Sequence, residues 1–386
     1  MDPRDHVRTN LVAGALTSTH LTIRTLMPLL LAALGTAYGF AEGRLGDLGA
    51  AYSAGATLAA MTSPWWMSGL QMRMPALALL GIGIAAVGGM LLVQHFWPLM
   101  LLFALAGVGH GGVFALMITL LSRTDDPNRS YGWQWCLGSV PGIVLVYAAP
   151  ALSTPATGLL VTFGLVLASN MVAGLPALRL PARLEPIGTT VGTRHTQAAT
   201  EPAWPLALGL FAVLATYSGV TGAWAFFGRV ALANGLGSVY PGIVLAIATA
   251  ASSAVSLLAG EAGNRGSRPL PMLVAALGLF ATLLLVALQP NRIGYGIGVV
   301  TSIALAGWLL PLVVGIVPKL DPTGRAAGLP AAALGVGAVT GPAIAGHVYQ
   351  AAGSLTMLVV AGGTTLAGLL AYVAVHGRAF ARHAVR

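Results

Sequence analysis

Charge is scarce in this chain. Only 8% of its 386 residues are Asp, Glu, Lys or Arg, while 56% are hydrophobic. An ordinary soluble domain carries about 25% charged residues. Such a sequence cannot cover a water-facing surface of this size, so most of its surface must face something apolar. Cysteine is nearly absent: Cys136 stands alone, which excludes an internal disulfide and a cysteine-built zinc site. Lysine is reduced to Lys319. No basic run carries interleaved aromatics, so the formal net charge of +9 is not a nucleic-acid signature. No phosphate-binding glycine loop precedes a Lys-Ser/Thr pair, and neither His-Glu-x-x-His nor Gly-x-Ser-x-Gly occurs. Nucleotide hydrolysis, zinc proteolysis and esterase chemistry are therefore not implied. No metal or cofactor is expected, and the chain reads as a non-enzyme. A cleavable signal peptide is not expected either, because the apolar stretch that begins near Asn10 is far too long for a signal core.

What is present is a series of long apolar stretches. A hydrocarbon core needs roughly 20 apolar residues per spanning helix. On that measure the sequence predicts an all-α integral membrane protein with about twelve spans. They lie at residues 9–34, 46–67, 75–94, 97–121, 134–152, 157–177, 204–228, 238–259, 270–288, 293–317, 328–349 and 354–376. The basic residues test this topology. With the N-terminus in the cytoplasm, fifteen of them fall inside, and only Arg44, Arg229 and Arg292 fall outside. That is the positive-inside asymmetry, and it places both termini in the cytoplasm.

The longest connector is polar and central. It suggests an N-terminal six-helix bundle over 1–178, a cytoplasmic linker over 179–203 and a C-terminal six-helix bundle over 204–386. The two halves share a signature. Asp126-Pro127-Asn128-Arg129 is followed by Gly132, and Asp321-Pro322-Thr323-Gly324-Arg325 by Gly328. An internal duplication is the simplest account, as in many transporters.

The ten acids all map to termini, connectors or helix ends. One basic residue, Arg24, lies deep in the first predicted helix. Thr17 and His20 precede it at helical spacing and share its face. A mid-span arginine is costly to insert, by roughly 2.5–3.5 kcal/mol. Either it ties helices together or it receives an anionic substrate, and its planar fork suits a carboxylate, sulfonate or phosphate. With no buried acid, His20 and His110 are the candidate proton carriers. Either histidine also reads as a plain structural hydrogen bonder.

The chain resembles the major facilitator superfamily over essentially its whole length. The connector Gly260-Glu261-Ala262-Gly263-Asn264-Arg265-Gly266-Ser267-Arg268 is similar to that family's cytoplasmic loop motif, with Asn264 where an acid usually stands. This makes Gly260, Asn264, Arg265 and Arg268 the expected cytoplasmic gate motif. Gly335, Gly337, Gly341-Pro342 and Gly346 look like the family's glycine-proline pattern in the eleventh helix, and Gly138 with Pro141-Gly142 is a weaker relative in the fifth. The resemblance implies two pseudo-symmetric bundles and a central path lined by helices one, four, seven and ten. On those helices Tyr217 and Trp308 join Arg24, His20, Thr17 and His110 as expected substrate contacts. Trp224 and Arg229 read as interfacial, and Glu42 and Asp47 as solvated or paired with Arg44.

The sequence therefore predicts a secondary transporter for a small, carboxylate-type organic anion, working by alternating access, with proton symport plausible. It would be a monomer in a bacterial cytoplasmic membrane, with lipid and a small solute as partners and no nucleic acid. The rival reading is efflux of drugs or amphipathic compounds, against which the missing buried carboxylate counts.

Overall fold

The computed structural model describes residues 3–67, 72–122, 127–154, 157–180, 204–264, 269–289, 291–320 and 329–381. Most of the expected linker lies outside these residues, as do Arg265, Arg268 and the Asp321–Arg325 signature. Among the described residues the chain is helical and carries no strand. The helices are α1 (Pro3–Tyr38), α2 (Glu42–Trp66), α3 (Arg73–Met90), α4 (Phe96–Leu121), α5 (Pro127–Leu152) and α6 (Gly158–Gly174), extended by a 3-10 turn (Leu175–Arg179). Then come α7 (Trp204–Ala233), α8 (Val239–Asn264), α9 (Pro269–Leu288), α10 (Arg292–Val314), the single turn α11 (Val317–Leu320) and α12 (Leu329–Ala381). Among the described residues, ten helices are long and apolar enough to cross a membrane.

The last two predicted spans, 328–349 and 354–376, lie on either side of a break in α12 at Gly353, whose φ of 80° and ψ of 175° suit glycine and few other residues. Many large apolar side chains are left exposed, among them Leu92, Ile293 and Leu270. In water that pattern would be a liability, and in lipid it is the ordinary outer surface. The chain is a multi-pass membrane protein.

Close crossings are made by glycines, because lipid supplies no hydrophobic drive between helices and backbone proximity must supply the packing instead. A Cβ added at Gly107 would overlap the Tyr52 carbonyl, and one at Gly55 would overlap that of Ala104, so α2 and α4 touch backbone to backbone. Helix α1 packs on α4, α5 and α6, and α12 packs on α7 and α9. The main pairings that join the first six helices to the rest are α2 with α12, α1 with α7, and α5 with α8, with a slighter contact of α1 with α8.

Most of the closest of those joining contacts gather toward one end of the molecule, where α1 turns into α2 and α12 bends at Gly353. There Gly46 of α2 lies against the Pro342 carbonyl and Gly346 of α12, and Gly242 of α8 against Val146 and Pro150 of α5. Farther along the same antiparallel seam Gly335 meets Thr57. The backbone N–H of Gly43 donates to Gln350 Oε1 at 3.0 Å. We call this the turn end.

Candidate functional site

Helix α1 carries a proline in its interior, Pro28. Proline has no N–H, so the carbonyl four residues earlier loses its helical donor. That carbonyl belongs to Arg24. In the structure the Trp224 indole N–H of α7 donates to it at 2.9 Å. Trp224 was expected at the membrane interface; it instead fills the hydrogen bond that Pro28 removes. This ties α1 to α7 at the depth of Arg24.

The Arg24 side chain reaches the same helix. Its guanidinium donates to the Tyr217 hydroxyl and lies 5.4 Å from the Tyr217 ring centroid. Tyr217 is itself placed by Thr221, whose hydroxyl donates to the Tyr217 carbonyl at 2.8 Å and also approaches the Gly337 carbonyl at 3.2 Å. Among the described residues no carboxylate pairs with Arg24. Ion pairs among the described residues lie elsewhere: Arg229 with Glu42 through both Nε and Nη2, and His347 with Asp47 at 3.2 Å. Both pairs join α2 to α7 or α12 at the turn end. Glu42 and Asp47 were expected to be solvated or paired with Arg44. Arg44 instead lies over the Phe96 ring, 5.3 Å from its centroid.

One turn before Arg24, His20 is buried, and its Nδ1 is hydrogen-bonded to the Tyr52 hydroxyl at 3.0 Å. Its ring stacks on Phe114 at 5.3 Å, and Phe114 meets the edge of Trp135 at 5.7 Å. Thr17 is fully buried and faces α5, where its hydroxyl accepts from Gln134 Nε2 at 2.7 Å. The predicted shared face of Thr17, His20 and Arg24 thus fans over three neighbours: α5, the α2–α4 pair and α7.

His110 is fully buried and takes a hydrogen bond from Asn170 Nδ2 of α6 at 3.1 Å on Nε2, while its Nδ1 has no partner. Gly83 of α3 lies flat against its ring, and the Tyr52 ring is 6.3 Å away. His110 therefore sits behind Tyr52, toward α3 and α6, and is linked to His20 only through that tyrosine. Trp308 is partly buried against the apolar core, with no ring partner or hydrogen bond among the described residues. The structure brings together Arg24, Tyr217 and His20; it does not bring His110 or Thr17 to Arg24's side. Gly260 and Asn264 lie in the last turn of α8. Among the described residues no group of His, Cys, Asp or Glu could hold a metal ion.

Sequence reasoning missed Tyr52, Gln134, Phe114 and the role of Trp224. Pro28 was the one available signal, since an intrahelical proline announces an orphaned carbonyl nearby.

Neither a scan against protein-family models nor a search of curated proteins finds a match to this sequence. Solved structures do match. The chain is similar to the nucleoside transporter NupG at 14% identity, over 96% of this chain and 98% of that one, with a TM-score of 0.70. It is similar to the human organic anion transporter MFSD10 at 17% identity, over 96% and 100%, with a TM-score of 0.63. It is similar to a D-xylose-proton symporter at 13% identity, over 95% and 97%, with a TM-score of 0.71. Near-complete coverage on both sides, with helices joined as described above, identifies the architecture: this chain has the fold of the major facilitator superfamily.

Proposed function

We propose that the protein is a secondary transporter that carries a small organic anion by alternating access. The observation that carries this reading is Arg24: a cation in the middle of a spanning helix, with a tyrosine for company and no carboxylate to neutralise it among the described residues. An arginine so placed presents free donors in a planar fork, which a carboxylate can accept bidentately. The residues 1–178 and 204–386 would form the two rocking units, joined by the linker over 179–203. The turn end is the face at which they meet, held by the Glu42–Arg229 pair and the α2–α12 contact. A positive-inside orientation makes that face the outer one, in a bacterial cytoplasmic membrane with both termini inside.

Proton symport fits the same site. His20 is one turn from Arg24 and within hydrogen-bond reach of Tyr52, so its protonation would be sensitive to an anion bound next to it. One of the similar structures is named for organic anion transport and another for proton symport. Those are properties of those proteins, and they agree with this reading.

The test is binding to purified protein. Thermal stability is measured with small carboxylates, sulfonates, phosphates, neutral solutes and lipophilic cations. A ligand at 100 times its dissociation constant stabilises by about 2.7 kcal/mol. Anions should raise the midpoint of the native protein, raise that of Arg24→Lys less, and leave Arg24→Gln unmoved. Stabilisation by cations alone, equal in native and variant, would sink the proposal.

A further inference from the structure

The α5 helix sorts its side chains by direction. Gln134, Gly138 and Gly142 face α1, where they meet Thr17, Leu21 and Thr25. Val146 and Pro150 face Gly242 of α8. Trp133, Val140, Val144 and Tyr147 are exposed by 48%, 50%, 54% and 51% and recur at helical spacing, which makes them the lipid stripe. Trp135 is exposed by 45%, as much as they are. Yet it stands two residues from Trp133, about 200° around the helix at 3.6 residues per turn. It points away from lipid, between the α1 face and the α8 face. Its exposure is therefore to the interior gap between the first six helices and the rest.

From Trp135 a run of flat groups leads inward. Its ring meets Phe114 edge to face at 73°, and Phe114 lies at 30° to His20, which is one turn from Arg24. Phe114 is itself only partly buried. An anion-binding fork thus stands at the end of a wall built from aromatic faces. Resting on the anion reading above, the geometry points to an aromatic carboxylate as the substrate class. Its carboxylate is held by Arg24 and its ring by the Phe114–Trp135 pair, and these two residues determine specificity. An aromatic ring presents a negative face and a positive edge to such a wall, so it gains an oriented contact that a saturated ring of similar size lacks.

The experiment is calorimetric titration of the full chain in lipid nanodiscs. Benzoate, phenylacetate and 3-phenylpropionate are compared with their cyclohexyl counterparts, with acetate, and with neutral benzamide. The three chain lengths allow for the reach between Arg24 and Phe114. At least one aromatic acid should bind about three- to tenfold tighter than its cyclohexyl counterpart, the range that aromatic pairing supplies. Trp135→Leu and Phe114→Leu should each reduce that ratio toward one and leave the cyclohexyl acids within about twofold. Trp135 is half-exposed, so its replacement leaves the core intact. Equal affinity for aromatic and saturated acids in the native protein overturns the inference, as does a ratio that survives in both leucine variants. If aliphatic acids bind and need Arg24 but no aromatic preference exists, this inference fails while the anion reading stands. If no carboxylate binds, both fail.

Discussion

Replacing Glu42 with Gln removes one charge from the Glu42–Arg229 pair, the ionic part of the turn-end seam. Arg229 Nε lies 3.1 Å from each carboxylate oxygen, and the two side chains are 22% and 16% exposed. A fully exposed pair contributes about 0–1 kcal/mol, and a hydrogen bond to a charged group about 1.5–3 kcal/mol. A pair this shielded but still wetted falls between them, and Gln keeps one hydrogen bond, so the loss is about 1–2 kcal/mol. All of it falls on the conformation in which α2 and α7 meet. At 1.4 kcal/mol per tenfold, the open-to-closed ratio rises about 5- to 30-fold. A seam open about 1% of the time would then be open up to roughly a fifth of the time. Spin labels at Leu92→Cys and Val239→Cys, at exposed positions in the turn after α3 and at the start of α8, report the separation by electron paramagnetic resonance. The background is Cys136→Ser, which removes the single native thiol. Glu42→Gln should add a longer-distance population, and the double exchange Glu42→Arg with Arg229→Glu should remove it again. Identical distance distributions for parent and Glu42→Gln would refute the reasoning.

Other outcomes follow from the same geometry. Gly107→Ala drives a methyl into the Tyr52 carbonyl and should cost about 1–3 kcal/mol as overpacking. Gly164→Ala meets nothing within 4 Å and should leave the thermal midpoint unchanged; both are read in one melting series. Trp224→Phe should strand the Arg24 carbonyl that Pro28 already deprives of a donor, at about 1–3 kcal/mol, with the loss absent in a Pro28→Ala background where the helical donor returns. Lys319 sits in the turn after α10, and partial burial lowers its pKa below the usual 10.5. The unfolded chain therefore binds more protons between the folded value and 10.5, so stability rises as pH climbs through that window. As the sole lysine, its reductive methylation followed by magnetic resonance should titrate below an ordinary lysine.

The helices were legible in the sequence because length and hydropathy are local properties. The fourth was expected at 97–121 and runs Phe96–Leu121; the ninth was expected at 270–288 and runs Pro269–Leu288. The break between the last two, expected between 349 and 354, falls at Gly353, whose φ of 80° suits glycine and few other residues. Arg24 stood out because charge inside an apolar stretch is rare, and its neighbour His20 came with it by periodicity. What the sequence hid is pairing across distance. Arg229 and Glu42 are 187 residues apart, and Trp224 and Arg24 are 200. No local pattern specifies which of the external acids and bases will meet once twelve stretches are packed. His110 stood out as a titratable group in a chain with no buried acid, and the glycines around it admit α2 and α3 against α4.

The contact of Gly46 with Gly346 and the Pro342 carbonyl also determines how this seam behaves under load. Interlocked side chains work like gear teeth: they must leave their rotamer wells before one helix can turn on another. Here bare backbone rests on bare backbone, so the crossing works as a plain bearing. Rotation about it is resisted by the clamps on either side, Gly43 with Gln350 and Glu42 with Arg229, and very little by friction at the axle itself.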